Sequence, residues 1–207
     1  MKTIILANGI IENYSAIKKY LTDASYIIAC DGGIRHAHAM GIIPHIIIGD
    51  MDSVPPELLM QAEKQNVKII THPAMKDETD LELAITHAYE NGATQIKILG
   101  ATGGRIDHQL ANLHLLAMHP EITEICDEKT SIKLIASQLT VQKGEYETIS
   151  LIPLTTEVTG ITTTGLFYPL HGEALKVGFS RGVSNCFCAD SATISIESGL
   201  LLAIRAK

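Results

Sequence analysis

Two aspartates that follow an apolar run are the residues whose chemistry is easiest to interpret. In the segment HIIIGDMDSVPPE, residues 45–57, Asp50 and Asp52 come after three isoleucines and a glycine, and two prolines follow. Two carboxylates this close repel each other unless something offsets their charge. The sequence leaves three ways to offset it: a Lys or Arg side chain, solvent or a metal ion.

A metal ion suits this pair of side chains. Mg²⁺ takes oxygen ligands and usually combines one or two carboxylates with water and substrate phosphates. On a nearly extended segment, Asp50 and Asp52 would point to the same side with their Cα atoms about 7 Å apart. Helix capping would explain only one of the two carboxylates. We therefore expect a metal-dependent reaction on phosphate, which depends mainly on positioning and charge neutralisation.

Strands that alternate with helices must position these residues. One predicted helix begins with a Thr79–Glu82 capping box and ends at Asn91-Gly92; a second runs to Pro120 with Leu110 and Leu113 on one face. Such alternation predicts βαβ units and a parallel sheet covered on both faces. The predicted strands are residues 3–7, 26–30, 46–49, 67–71 and 96–100.

The pattern changes after about residue 125. From Ser131 onward, seven short alternating runs are separated by turn residues, with no convincing helix among them. This spacing predicts an antiparallel sandwich or barrel. We therefore expect two domains, residues 1–125 and 131–207, with a boundary near 122–131.

Polar and glycine residues follow every predicted parallel strand. In open parallel sheets, ligands bind outside the carboxyl ends of the strands, so these residues are expected at one edge. The GATGGR segment, residues 100–105, offers backbone N–H groups to phosphate oxygens. Capping of a helix remains an alternative for Asp31 or Asp107 alone, and a helix N-terminus would stabilise Asp77 and Asp80 with or without a ligand. The residues at the edge are Asn8-Gly9, Asp31-Gly32-Gly33, Asp50, Asp52, Lys76, Asp77, Asp80, Gly103, Gly104, Arg105, Asp107 and His108.

Composition narrows the class of partner. The formal net charge of −7 argues against nucleic acid and against an anionic membrane surface, but not against a metal-bound nucleotide. No apolar run is long enough to span a membrane, and the N-terminus is more typical of a first strand than of a signal peptide. The four cysteines form no CxxC pair, so we expect reduced thiols and a cytoplasmic location.

Six motifs give the sequence a family resemblance. The sequence resembles the thiamin pyrophosphokinases, which move a pyrophosphate from ATP to thiamin. The motifs occur in the family's order and cover nearly the whole chain. They are ACDGG (29–33), PHIIIGDMDS (44–53), KDETDLELA (76–84), GATGGRIDH (100–108), GLFYPL (165–170) and SRGVSN (180–185).

The resemblance implies a fold, a reaction and roles for residues. The fold would be α/β: a Rossmann-like parallel-sheet domain that binds ATP and Mg²⁺, followed by an antiparallel β-sandwich that binds thiamin. The protein would be a homodimer with each site shared between subunits. The thiamin hydroxyl would attack the β-phosphorus of ATP, and AMP would leave. The implied catalytic residues are Asp50, Asp52, Asp80 and Arg105, the first three also binding metal; those binding ATP or phosphate are Asp31, Gly32, Lys76, Asp77, Gly103, Gly104, Asp107 and His108; those binding thiamin are Tyr168, Ser184 and Asn185.

Alternatives remain open at this point. A pyrophosphokinase acting on a hydroxymethylpterin would keep the acidic centre but would not need GLFYPL and SRGVSN. A metal-dependent phosphohydrolase would use water as the nucleophile and would not release AMP. A protein that senses thiamin or a nucleotide would bind without turnover. Phe167 and Tyr168 could also be ordinary strand residues, one in the core and one outside.

Overall fold

The chain forms two compact units. The computed structural model describes residues 1–207. Unit 1 comprises Met1–Leu115 and Ile125–Glu128, and unit 2 comprises Leu116–Glu124 and Lys129–Lys207. The chain therefore enters unit 2, returns to unit 1 for a few residues, and then stays in unit 2.

Unit 1 contains the predicted parallel sheet. The strands pair in the parallel order β5-β1-β2-β3-β4, and β6 lies beside β5. The five predicted strands are confirmed to within one residue at each end, and β6 is an addition. Isoleucine-rich strands buried on both faces favour this arrangement. The strands are β1 (Lys2–Leu6), β2 (Tyr26–Cys30), β3 (Ile46–Gly49), β4 (Lys68–Thr71), β5 (Gln95–Leu99) and β6 (Thr123–Cys126), of which the first two residues of β6 belong to unit 2 and the last two to unit 1.

Four helices of unit 1 pack their apolar residues into its core. In α4 the Thr79 hydroxyl accepts a hydrogen bond from the Glu82 N–H at 3.2 Å, as the capping box predicts. One face of this helix is buried, with Leu81, Ala84, Ile85 and Ala88. None of the five helices has the length and apolar character needed to cross a membrane. The helices are α1 (Tyr14–Ile17), α2 (Ile34–Met40), α3 (Pro56–Lys64), α4 (Asp80–Glu90) and α5 (Ile106–Leu115), with a 3-10 turn at Lys18–Leu21.

Helix α5 is the exception, because none of its residues is buried. Ile106 is 70% exposed and Leu110 is 55% exposed. The helix ends at Leu115, earlier than the predicted stop at Pro120, and Leu116 is buried in unit 2. The apolar face that the sequence predicts is present, but unit 1 does not cover it.

Unit 2 is the predicted antiparallel sandwich. Its strands form two sets, ordered β12-β9-β14-β7 and β11-β10-β13-β8. Buried residues of both sets, such as Leu151, Ile161 and Ile194, share one core. The seven predicted runs are confirmed as strands, and the two-residue β12 is an addition. The strands are β7 (Thr130–Ile135), β8 (Gln138–Gln142), β9 (Thr148–Pro153), β10 (Glu157–Thr164), β11 (His171–Lys176), β12 (Asn185–Cys186), β13 (Ser191–Ser195) and β14 (Leu201–Ala206).

Candidate functional site

A cleft of about 490 Å³ lies at the carboxyl ends of the parallel strands of unit 1. The segments that follow β1, β2, β3 and β5 line it, together with the start of α4 and part of α5. The position agrees with the rule that ligands of parallel sheets bind at this edge. Among the lining residues are Asn8, Gly9, Asp31, Asp50, Asp52, Asp80, Gly103, Gly104, Arg105 and His108.

Three carboxylates meet in this cleft. Oxygen atoms of Asp31, Asp50 and Asp52 all lie within 4.8 Å of one another. The expectation that Asp50 and Asp52 lie on a nearly extended segment is wrong, because Met51 between them has a left-handed φ of 66°. The Asp50 carboxylate accepts the Asp52 N–H at 3.2 Å, which closes a tight turn. The turn brings the second carboxylate back toward the first.

Asp31 is the buried member of the cluster. It is 6% exposed, its φ is 46°, and its Oδ1 atom is buried without a hydrogen-bond partner. Burial raises the pKa of this carboxyl group; the nearby charges of Asp80 and Asp52 raise it further, whereas bonds from Gly32 and Ser53 lower it. An unpartnered buried carboxylate oxygen beside two other carboxylates is the donor set that a hard divalent cation prefers.

Asp80 approaches the cluster from the first turn of α4. Its Oδ1 atom pairs with Lys76 Nζ at 3.1 Å, and the two side chains are 24% and 13% exposed. Gly49 permits the close packing here: an added Cβ would lie 2.8 Å from Asp31 Cβ and 3.2 Å from Asp80 Cγ. The end of β3 can therefore hold two carboxylates at its sides only because residue 49 has no side chain.

Of the other residues that the sequence predicts to act on ATP or its phosphates, only some line the cleft. Gly103, Gly104, Arg105 and His108 line the cleft, whereas Gly32, Lys76, Asp77 and Asp107 do not. Asp107 instead pairs with Arg105 at 2.6 Å, and the guanidinium lowers the pKa of the Asp107 carboxyl to about 2. Both side chains are exposed, so this pair leaves Arg105 accessible from the cleft.

Two residues that contact the lining of the cleft, Arg35 and His36, were not given a role by the sequence. Arg35 donates hydrogen bonds to Asn8 Oδ1 and, at 3.3 Å, to the Ser53 carbonyl, so it links the segments after β1 and β3. His36 is buried and its ring contacts the Gly9 carbonyl, whereas His38 is exposed. The signal that could have found Arg35 and His36 is their place in the first turn of the helix that follows the DGG segment.

Unit 2 contains a separate cavity of about 430 Å³. Phe167, Tyr168 and Arg181 line it, and Phe167 and Tyr168 are both 64% exposed, so the alternative that one of them lies in the core is wrong. Asn185 lines it too and holds the Tyr168 backbone, donating to its carbonyl at 2.7 Å and accepting its N–H at 3.0 Å. Ser184 does not line the cavity; its N–H donates to Ser150 Oγ at 2.9 Å.

Comparisons with known proteins agree along the whole chain. The model of the thiamin pyrophosphokinase catalytic domain matches residues 17–126, and that of the thiamin pyrophosphokinase vitamin B1 binding domain matches residues 136–201. The chain is 32% identical to the thiamine pyrophosphokinase of Bacillus subtilis over 211 aligned residues, covering 99% of each protein.

Solved structures give the same result. A crystal structure of thiamine pyrophosphokinase from Bacillus subtilis matches with a TM-score of 0.88 at 29% identity, covering 100% of this chain and 99% of that one. One of thiamin pyrophosphokinase from Geobacillus thermodenitrificans matches with a TM-score of 0.90 at 29% identity, covering 100% and 98%. The likeness therefore extends over both units.

Proposed function

The chain belongs to the thiamin pyrophosphokinase family, and we propose from this premise that it transfers a pyrophosphoryl group from ATP to thiamin. Membership makes it an enzyme that forms thiamin diphosphate from thiamin. The observation that carries the proposal for the donor is the gathering of three carboxylates within 4.8 Å in a cleft that also contains a glycine-rich loop. Carboxylates beside phosphate-binding N–H groups are suited to a metal-bound polyphosphate.

We propose that Asp50, Asp52 and Asp80 hold Mg²⁺, as the sequence predicts, and that Asp31 joins them. The unpartnered Oδ1 atom of Asp31 supports this assignment, since a buried carboxylate oxygen is stable only with a cation or donor beside it. Bound Mg²⁺ would neutralise charge on the phosphates as the transition state forms. Lys76, through its ion pair, keeps the Asp80 carboxylate at the cluster.

The other cleft residues orient the nucleotide in this proposal. The N–H groups of Gly103 and Gly104 face phosphate oxygens, and Arg105 and His108 lie beside the pyrophosphate that is transferred. Asp107 fixes the direction of the Arg105 guanidinium through their ion pair. Gly32, beneath the Asn8 side chain, and Asp77 complete the proposed phosphate-binding set.

Thiamin is assigned to the second domain. We propose domains at 1–125 for ATP and metal and at 131–207 for thiamin, with Tyr168 stacking on a thiamin ring and Asn185 and Ser184 beside it. Asn185 supports this role because its two hydrogen bonds fix the backbone of Tyr168 at the cavity. Thiamin is cationic, which suits a protein of net charge −7.

We propose a homodimer with sites shared between subunits, in the cytoplasm. The wholly unburied helix α5, with Ile106 and Leu110 exposed, supports the dimer because such an apolar face is normally covered. The exposed thiols of Cys186 and Cys188, which form no disulfide, support a reducing compartment. We propose neither nucleic acid nor a membrane as a partner.

The reaction is an in-line displacement at phosphorus. The oxygen of the thiamin hydroxyl attacks the β-phosphorus of ATP and loses its proton to solvent, and AMP leaves with the electrons of the broken P–O bond. A loose transition state of this kind requires positioning more than a strong base. The chain therefore contributes orientation and charge complementarity, through Arg105 and the aspartates.

A product assay tests the proposal directly. Purified protein is incubated with ATP, Mg²⁺ and thiamin, and nucleotides and thiamin esters are separated by chromatography. We expect AMP and thiamin diphosphate in equal amounts, both dependent on thiamin. Thiamin diphosphate without AMP would contradict the donor and the site of attack. AMP without a thiamin product would mean that water takes the pyrophosphoryl group, and orthophosphate without AMP would favour the phosphohydrolase. If no product forms from thiamin, a pterin alcohol is the next acceptor to test.

A further inference from the structure

Helix α2 carries a buried histidine that the proposed chemistry does not use. His36 is 7% exposed, and both of its ring nitrogens are engaged. Nε2 lies 2.9 Å from the carbonyl oxygen of Gly9, and Nδ1 lies 2.9 Å from the Tyr14 hydroxyl. Gly9 lines the cleft, so this histidine is attached to the wall of the site.

The partners of His36 determine its tautomer. A carbonyl oxygen only accepts, so Nε2 must carry the hydrogen that is donated to Gly9. In the neutral ring Nδ1 is then an acceptor, and the Tyr14 hydroxyl donates to it. Burial lowers the pKa of His36, and the nearby Arg35 guanidinium lowers it further. Tyr14 therefore selects the one neutral form that can hold the Gly9 carbonyl.

The peptide group between Gly9 and Ile10 is fixed at both ends. Its carbonyl is held by His36, and its N–H donates to the Thr102 carbonyl at 3.1 Å. The Gly9 N–H donates to the Gly100 carbonyl at 2.7 Å, and a Cβ at Gly9 would lie 2.3 Å from that same oxygen. The segment after β1 is therefore locked against the glycine-rich segment after β5.

Loss of His36 would leave the Gly9 carbonyl without its donor. A buried carbonyl without a partner costs free energy, so the segment would move to reach water or another N–H group. Because this segment is hydrogen-bonded to the carbonyls of Gly100 and Thr102, its movement would also displace the glycine-rich loop, whose N–H groups the phosphates would need. The expected defect is thus in nucleotide binding rather than in the fold as a whole.

We propose that His36, set in its tautomer by Tyr14, is a positioning residue for the nucleotide. It fixes the Gly9–Ile10 wall of the cleft in the shape that binds ATP, and it acts through this wall rather than on the reacting atoms. The inference rests on the function proposed above, because it takes ATP as the ligand of the cleft.

Three variants on one helix test the inference through the kinetic constants. H36L removes the donor, H36Q keeps an N–H donor on a side chain of similar reach, and H38L is a matched control at an exposed position of α2. For H36L we expect KM for ATP to rise roughly tenfold, the usual effect of losing one buried hydrogen bond, with kcat and KM for thiamin changed less than about twofold. H36Q is expected to recover most of the affinity, and H38L to match the parent protein. Equal rises in KM for ATP and thiamin would overturn the inference.

A second measurement separates this inference from the choice of donor. Amide hydrogen exchange of residues 7–12 should become faster in H36L and in Y14F but not in H38L, in protein without nucleotide. Unchanged exchange in H36L and Y14F would overturn the inference whatever the activity. If the enzyme uses a donor other than ATP, only the donor proposal fails, and faster exchange with a raised KM for that donor would still support His36. Should H36L not fold, Y14F removes the hydrogen bond from Tyr14 to Nδ1 and so tests the choice of tautomer with the imidazole in place.

Discussion

Asp31 shows that individual residues of the cleft are placed for a ligand at the expense of stability. The residue is buried, has a left-handed backbone, and keeps one carboxylate oxygen without a partner. Each of these features costs free energy of folding in the absence of a cation. Residues with such costs are common at functional sites.

The first prediction concerns the stability of D31N. In metal-free buffer at pH 7, the neutral amide should raise the free energy of unfolding by about 1 kcal/mol, because it costs less to bury than a carboxylate. Thermal unfolding in EDTA measures the change. Addition of Mg²⁺ should stabilise the parent protein more than D31N, and the variant should lose activity. A lower unfolding temperature for D31N in EDTA would show that Asp31 serves the fold instead.

The second prediction concerns turnover. D50N and D52N should each lower kcat by at least about 100-fold, since each removes a charge from the metal-binding cluster. The rate of thiamin diphosphate formation measures the effect, and circular dichroism checks the fold. E63Q, at an exposed position on α3, is the matched control and should keep full activity. Turnover close to the parent rate in both variants would remove these residues from the metal site.

The third prediction is a pH dependence that belongs to His36. Because burial lowers the pKa of His36 in the folded protein, the unfolded chain binds a proton more readily once the pH drops below about 6.5, the ordinary value for histidine. Stability should therefore fall as the pH is lowered through that value, and it should fall less in H36Q. Urea unfolding at pH 7.5 and 5.5 gives the change in the free energy of unfolding with pH, one slope for the parent protein and one for H36Q. Parallel slopes would mean that His36 is protonated in the folded state.

At the scale of elements, local sequence predicts most of the framework. The isoleucine-rich runs of β1 to β5 and the capping box of α4 are local signals that tertiary packing reinforces. Strand β6 was missed because its residues, Thr123–Cys126, include only one isoleucine and form no apolar run like those of β1 to β5. Strand β12 has only two residues and is defined by its pairing with β9.

The candidate site was predictable in position but not in geometry. The rule for parallel sheets placed the aspartates at one edge. It could not predict the left-handed turn at Met51 or the hydrogen bonds made by Arg35 and His36, because these depend on contacts between segments distant in sequence. Spacing along the chain carries no information about such contacts.

The fourth prediction belongs to helix α5. Replacing Ile106 and Leu110 together by glutamate should convert the proposed dimer to a monomer, because a charged face resists burial. The monomer should still fold, since neither side chain is buried within the chain. Light scattering after gel filtration measures the mass. M60E, which places the same charge at an exposed residue of α3, should stay dimeric. A dimer that survives both changes on α5 would place the interface elsewhere.

At the scale of the whole molecule, unit 2 is stabilised by a residue of its first segment, Leu116–Glu124, which precedes the longer segment Lys129–Lys207. Glu124 pairs with Arg205 at 3.1 Å, and the two side chains are only 7% and 14% exposed. Arg205 also donates to Ser131 Oγ at 2.6 Å and lies over the Tyr146 ring. The first and last strands of unit 2 are thus joined by a buried charge network.

The fifth prediction follows from this network. E124A should lower the free energy of unfolding by about 3 kcal/mol, because it leaves the Arg205 charge buried without its carboxylate. Urea unfolding measures the loss, and E124Q, which keeps an acceptor, should lose less. A change below about 1 kcal/mol in E124A would mean that the remaining partners of Arg205 suffice.

The passage of the chain between units also matters while the protein is being made. Ile125–Glu128, which belong to unit 1, leave the ribosome only after Leu116–Glu124 of unit 2. A nascent chain that has emerged only as far as Leu115 contains β1 to β5 but not β6, so one side of β5 is an open edge, the kind of surface that invites pairing with other chains. The next stretch takes on the order of a second to translate at ~5–20 residues per second, which keeps this exposure brief. Translational pauses in this stretch should therefore lower the yield of folded enzyme more than pauses after residue 128.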